Sequence, residues 1–181
     1  CFYIREKNYN IVNPDMKKNN NVSWYSKKEF KIALDELIKK NLKIIDLSNF
    51  NEELELNDNS YFNTNGIKKK SEIFDYCIAK NCKFFISTGG GKSELARIFK
   101  KPMLKVDHEY NIWHNFSFST NFDHVIFGHV YSKKEHRFIS IKEQFKNLEK
   151  IFPNIKNKMS LSFNFEDYIL VKNSEEEILN L

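Results

Sequence analysis

The stretch that most constrains the fold is KFFISTGGGKSELARIF, residues 83–99, in which a short apolar segment ends in three consecutive glycines. Phe84, Phe85 and Ile86 form a continuous apolar run, which is typical of a strand covered on both faces of a parallel sheet. Residues 92–99, directly after the glycines, predict a helix. A strand, a glycine turn and a helix in this order favour an α/β fold with the start of the helix at the carboxyl end of the strand.

The glycine turn has the chemistry of an anion site. Gly89, Gly90 and Gly91 let the backbone turn sharply and approach a ligand closely. The first amides of a helix lack intrahelical acceptors and the helix dipole is positive at that end, so phosphate or pyrophosphate is the expected ligand. A tight strand-to-helix turn without a ligand has the same pattern. A Walker A motif would need glycine where Ile86 stands, which disfavours a P-loop hydrolase and leaves Lys92 as a first-turn helix residue.

The length and composition predict one globular domain over residues 1–181. A chain of 181 residues can bury a substantial core, and its 41% hydrophobic and 15% aromatic residues argue against a disordered tail. The first residue is cysteine rather than methionine, and a strand-like segment begins at once. We therefore expect the sequence to be a fragment of a longer protein, with an N-terminal domain ahead of it.

Charge and metal-binding patterns exclude several function classes. The net charge of +5 suits an anionic ligand or an anionic membrane surface, but the basic residues form no stripe with interleaved aromatics, so we expect no nucleic acid partner. Three cysteines and five histidines show neither a disulfide framework nor zinc spacing, which predicts no metal and a reducing, cytoplasmic compartment. No apolar run is long enough for a transmembrane helix.

Strand-like and helix-like segments alternate along the chain. Apolar runs predict strands at 2–5, 42–47, 83–88, 103–106, 124–130 and 168–171, and residues 49–66 read as a polar loop. Helices are expected after the cap residues Ser26, Ser71, Ser140 and Ser174 and after the glycine turn. The order predicts a Rossmann-like, doubly wound, mostly parallel sheet with helices on both faces.

Several chemically useful residues follow the predicted strand ends. Arg5, the turn from Thr88, His108 and His129 all lie at or just beyond the carboxyl end of a predicted strand, where ligands of such sheets bind. Arg5 could hold a diphosphate through two hydrogen bonds, although an ion pair with Glu6 fits the local sequence equally well. No GxSxG elbow is present, which disfavours a serine hydrolase. If the domain is an enzyme, electrostatic stabilisation of a pyrophosphate leaving group is its best-supported contribution.

One long segment resembles a known family. YFNTNGIKKKSEIFDYCIAKNCKFFISTGGGKSELARIFKKPML, residues 61–104, resembles bacterial glycosyltransferases of surface carbohydrate synthesis, in which a KSE…D helix leads to a CKFFIGT strand and a small-residue turn. CFYIREKNY resembles the opening strand of that family, HVIFGHVYSKKEHRFISIKEQF its strand, basic loop and following helix, and ILVKNSEEEIL its closing segment. The similarity spans nearly the whole chain through short motifs.

The resemblance implies the C-terminal, donor-binding half of a GT-B type glycosyltransferase, distantly similar to fucosyltransferase-like enzymes. It implies metal-independent transfer from a nucleoside-diphosphate sugar to a carbohydrate or lipid-linked glycan acceptor, without a cofactor, in the cytoplasm or peripherally at the inner face of the cell membrane. The diphosphate-binding residues would be Arg5, Thr88, Gly89, Gly90, Gly91 and Lys92, and the further donor or pocket contacts Ser71, Glu72, Asp75, His108 and His129.

The chain also departs from the family pattern. Tyr3 stands where histidine is usual, Asp46 and Ser48 stand where an RxG pair is expected, His129 replaces a lysine, and the turn reads TGGG rather than TSSG. A non-catalytic nucleotide-binding module and a sugar-nucleotide epimerase remain alternative interpretations of the same glycine turn. The catalytic residues are not identified by the sequence.

Overall fold

The structure is a computed structural model that describes residues 1–4, 26–50, 52, 54–56, 59–67, 70–71, 73–108, 123–153, 163–164 and 166–180. Its main sheet has six strands, β1 (Phe2–Tyr3), β2 (Ile44–Asp46), β3 (Tyr61–Asn63), β4 (Phe85–Ser87), β5 (Met103–His108) and β6 (Asp123–Phe127). All neighbouring strands pair in parallel, in the order β3-β2-β1-β4-β5-β6. The expectation of an α/β fold with a mostly parallel sheet is confirmed.

Six α-helices are assigned in the described residues: α1 (Lys31–Lys39), α2 (Phe74–Asn81), α3 (Gly91–Ile98), α4 (Ile141–Lys146), α5 (Leu148–Ile151) and α6 (Glu175–Leu179). A 3₁₀ turn, Lys27–Phe30, leads into α1, and another, Thr64–Gly66, follows β3. Ser26, Ser140 and Ser174 are confirmed as cap residues, each in a capping box with the glutamate three residues later. Ser71 is not the cap of α2, because that helix begins three residues later and only the Ser71 carbonyl accepts a bond, from Phe74 N.

Helices cover both faces of the main sheet, because successive strand side chains point to opposite sides. On one face Phe2, Ile4 and Ile86 pack with Leu34 of α1 and Ile178 of α6. The opposite face, which we call the α2/α3 face, buries a separate cluster. Its buried residues are Tyr3, Leu47, Ala79, Phe85, Leu95, Ala96 and Met103. This arrangement explains why the central strands read as continuous apolar runs.

Two parts of the sheet architecture differ from the sequence-based expectation. The segment 49–66, expected to be a loop, contains β3, a three-residue edge strand in register with β2. Its Phe62 is half-exposed and polar residues flank it, so it carries little apolar signal. The expected strand 124–130 is two strands, because the chain leaves the main sheet at Gly128.

A second sheet of three antiparallel strands follows this break. It contains β7 (His129–Ser132), β8 (Arg137–Ile139) and β9 (Tyr168–Val171) in the order β8-β7-β9. Its own small core buries Val130 and Ile139 against Ile151 and Phe152. The sequence did not predict β8, in which only Ile139 is buried. The expectation of one mostly parallel sheet is therefore incomplete, because the chain also forms this antiparallel sheet.

Candidate functional site

The strand order defines a crevice at the centre of the main sheet. β1 lies between β2 and β4, so the chain proceeds to one side through β2 and β3 and then returns to the other side at β4. In open parallel sheets, ligands bind outside the carboxyl ends of the strands at such a reversal. Leu47 N donates to Phe2 O at 2.9 Å and Thr88 N to Tyr3 O at 3.3 Å, which ties the segments after β2 and β4 to β1. The glycine turn therefore lies at this crevice.

The glycine turn has a backbone that other residues adopt at a cost. Gly89 has φ 96° and Gly90 has φ 109°, in the region where only glycine is unstrained. A Cβ at Gly90 would lie 3.2 Å from both Cε1 and the hydroxyl oxygen of Tyr3. Gly91 differs, because a Cβ there would meet nothing within 4 Å. The first two glycines are required by the turn itself, whereas the space at Gly91 is open to a ligand.

The start of α3 offers backbone amides. Gly89 N donates to Ser87 Oγ at 2.9 Å, and Ser93 N and Oγ both donate to Gly90 O. Within the part of the chain that the structure describes, no side chain caps the first amides of this eight-residue helix. The amides of Gly89 and Ser93 are thus bonded within the turn, and an anion would contact the other first amides of α3, at the positive end of the helix dipole.

Lys92, a predicted diphosphate ligand, reaches away from the helix axis toward neighbouring segments. Its Nζ lies 2.5 Å from Leu47 O, 2.7 Å from Asn49 Oδ1 and 3.1 Å from Asp75 Oδ2. Burial lowers the pKa of Lys92, while Asp75 acts in the opposite direction. Since an ammonium has three N–H donors, Lys92 could bind phosphate only by exchanging one of these acceptors.

Asp75, on α2, lies between the side chains of two lysines from other segments. Its Oδ1 is 2.5 Å from Lys70 Nζ, and its Oδ2 contacts Lys92, while its side chain is only 19% exposed. Lys70 Nζ also donates to Thr64 Oγ1 at 3.3 Å. We call Lys70, Asp75 and Lys92 the lysine–aspartate cluster; it carries one net positive charge. The carboxylate neutralises one of the two cations, which leaves the cluster favourable to an anion.

Asp46 and Ser48, which replace the expected RxG pair, connect β2 with the end of β1 and the beginning of β3. Asp46 Oδ2 lies 2.6 Å from Lys27 Nζ, with both side chains fully buried, and accepts from the Tyr61 hydroxyl at 2.5 Å. Asp46 Oδ1 accepts from Ser48 N, and Ser48 Oγ accepts from Ile4 N. Burial, reinforced by Asp46, raises the pKa of Tyr61. The sequence signal for this site was a carboxylate at the end of an otherwise apolar strand.

The remaining predicted residues are placed as follows. Arg5 and Glu72 lie outside the described residues. His108 ends β5 at the carboxyl edge of the main sheet, opposite Phe127 in the register with β6. His129 begins β7 in the second sheet, with its Nε2 2.9 Å from Glu177 Oε1 of α6. The structure thus brings Thr88–Lys92 and Asp75 together. It places His129 in the second sheet, in contact with α6.

Comparison with known proteins gives no assignment: no family model, curated protein or solved structure matches this chain. In the described residues, no group of three or more histidine, cysteine, aspartate or glutamate side chains is arranged to hold a metal ion. None of the helices assigned there has both the length and the apolar character of a membrane span. A functional proposal therefore depends on the geometry at the crevice.

Proposed function

We propose that the chain binds the diphosphate of a nucleotide sugar at the central crevice and serves as the donor-binding half of a glycosyltransferase. The observation that carries this proposal is the position of the Thr88–Gly91 turn, at the reversal of strand order and directly before the uncapped start of α3. The two-domain GT-B architecture and the carbohydrate acceptor come from the sequence resemblance and stay predictions.

The diphosphate would contact the amides at the start of α3. Gly91 leaves room for it, and the lysine–aspartate cluster adds positive charge beside the turn. Arg5 follows Ile4 directly in the sequence, and Ile4 N is held by Ser48 at the end of β1. Fixed donors of this kind stabilise the negative charge that develops on a leaving diphosphate during sugar transfer. The donor site therefore supplies binding and leaving-group stabilisation without a metal.

A second candidate is a nucleotide-binding module without transfer activity. It is favoured by the state of the two buried or half-buried aspartates at the crevice, because each is already paired with lysine. Asp46 is paired with Lys27, and Asp75 with Lys70 and Lys92. Each of their carboxylate oxygens already faces a donor, so neither aspartate is placed to take a proton from an acceptor hydroxyl. Under this alternative the chain would bind nucleotide sugars and release them unchanged.

Calorimetric titration of the full chain with UDP, GDP and their sugar conjugates tests the binding site. Gly91→Val should weaken binding about tenfold or more, since its side chain would occupy the space of the phosphate and disturb charge-assisted hydrogen bonds of about 1.5–3 kcal/mol. Gly66→Val is the matched control, because a Cβ at Gly66 also meets nothing within 4 Å. Arg5→Ala should weaken the same ligands.

Two results would overturn the donor site. One is the absence of nucleoside-diphosphate binding by the intact protein, and the other is unchanged affinity in both Gly91→Val and Arg5→Ala. Sugar transfer by the protein, followed by mass spectrometry with glycan acceptors, separates the transferase from the binding module. Binding without transfer supports the module.

A further inference from the structure

An apolar cavity lies at the amino-terminal edge of the main sheet, opposite the glycine turn. Its volume is about 350 Å³, within the range of about 300–1,000 Å³ that small-molecule sites occupy. It lies between α1 and α6, over the beginnings of β4, β5 and β6. Because it lies at the other end of the strands, it is separate from the proposed donor site.

The wall of the cavity is almost entirely hydrocarbon. Ala33 and Leu37 come from α1, Ile86 and Leu104 from the sheet, and Ile178 and Leu179 from α6. A sugar or a nucleotide in this space would leave its hydroxyl and amide groups without hydrogen-bond partners, which strongly disfavours its binding. An alkyl chain has no polar group that would lose a hydrogen bond, and burial of its apolar surface favours binding.

The charges of Glu36 and Lys40 at the rim cancel, and Lys39 beside them leaves one net positive charge. Glu36, Lys40 and His124 are the polar lining residues, and Glu36 Oε1 is already 2.6 Å from Lys39 Nζ. Within the described residues, Lys40 has no ion pair, and both Lys40 and His124 are exposed. The rim thus offers an ammonium and an imidazole beside an apolar wall, which is complementary to an anionic head group on an apolar chain.

We propose that this cavity binds a medium- to long-chain fatty acid from solution, with the alkyl chain along the α1/α6 wall and the carboxylate at Lys40 and His124. Association of a second protein copy fits less well, because a stable protein interface buries about 1,200 Å² or more. The lining of this cavity offers far less surface than that. The ligand class follows from the combination of an apolar wall with an unpaired cation at its rim.

Calorimetry with the full chain and the series octanoate, decanoate and dodecanoate, each below its micelle concentration, tests the proposal. Each buried methylene contributes about 0.8 kcal/mol, so affinity should rise about fourfold per methylene until the chain fills the cavity, and then level off. Dodecyltrimethylammonium should bind more weakly than dodecanoate because its head group is cationic.

Two substitutions locate the site, and a third is their control. Ala33→Leu adds bulk to the wall and should make the affinity level off at a shorter chain. Lys40→Gln should weaken dodecanoate binding up to about fivefold, as expected for an exposed ion pair. Lys80→Gln, an exposed lysine on α2 at the other face, is the matched control and should change nothing. If Ala33→Leu does not fold, Leu179→Gln at the 36% exposed edge of the wall replaces it and should lower affinity for every chain length.

The proposal is overturned if affinity does not depend on chain length, or if Lys40→Gln and the wall variant both bind dodecanoate like the wild type. It is also overturned if phosphatidylglycerol vesicles bind the protein while monomeric fatty acids do not, since the ligand would then be a membrane surface. Nucleotide binding is measured separately, so failure of the donor site does not affect this test.

Discussion

The buried ion pair between Lys27 and Asp46 should be the most strongly coupled polar contact near the crevice. Both side chains are 0% exposed, and their charged atoms lie 2.6 Å apart. Lys27 Nζ also donates to Phe50 O at 2.8 Å. The pair joins the turn before α1 to the carboxyl end of β2, so its loss should loosen one side of the crevice as well as destabilise the fold.

The loss of stability in each single variant depends on which buried charge the substitution leaves unpaired. Removal of one partner of a buried pair costs about 3–5 kcal/mol, a large part of a total stability of about 5–15 kcal/mol. Lys27→Met should lower the free energy of unfolding by about 3 kcal/mol, because the carboxylate of Asp46 still accepts from Tyr61 and Ser48. Asp46→Asn should cost at least as much, since the carbonyl of Phe50 is the one acceptor that the described residues leave to the ammonium of Lys27.

The double variant Lys27→Met/Asp46→Asn has no buried charge, and its asparagine can still accept from Ser48 N. We therefore expect it to be no less stable than either single variant, which gives a coupling energy of about 3 kcal/mol, at the upper end for residues in contact. Urea unfolding followed by circular dichroism at 222 nm, extrapolated linearly to water, provides the four free energies of unfolding.

The exposed pair Lys31 and Asp35 on α1 is the matched control. Its charged atoms are 2.8 Å apart, but its side chains are 40% and 31% exposed, and such helix pairs couple by only about 0.3–0.5 kcal/mol. A coupling for Lys27 and Asp46 no larger than that of the control would refute the argument from burial.

Two further outcomes are expected. Gly90→Ala should lower the free energy of unfolding by about 1–3 kcal/mol, because φ is 109° and Tyr3 is 3.2 Å from the new Cβ; a neutral effect in urea unfolding would contradict the assigned backbone. Arg137, followed by Ser140, lowers the pKa of Glu143 from 4.5 to about 2. The ionised Glu143 therefore stabilises the fold above pH 4.5, and this stabilisation is lost as the pH falls toward 2. Carboxyl NMR titration should give that low midpoint and a higher one in Arg137→Gln; equal midpoints would contradict it.

Local rules predicted the features whose interactions lie within a few residues. The capping boxes at Ser140 and Ser174 need only a hydroxyl and a glutamate three residues apart, and both were predicted correctly. β4 was predicted because Phe84, Phe85 and Ile86 form a continuous apolar run, as expected of a strand covered on both faces. β3 and β8 were missed because short edge strands are half-exposed, so their pairing partners rather than their own composition stabilise them.

By itself, the sequence determined that a strand, a glycine turn and a helix follow one another, since these depend on backbone freedom and on neighbouring residues. Only the tertiary structure decided that β1 lies beside β4, that Asp46 is paired with Lys27, and that Lys92 donates to Leu47, Asn49 and Asp75. Those contacts join segments that are distant in the chain. Their partners are selected by strand order and by the need to satisfy buried charges, which no local pattern encodes.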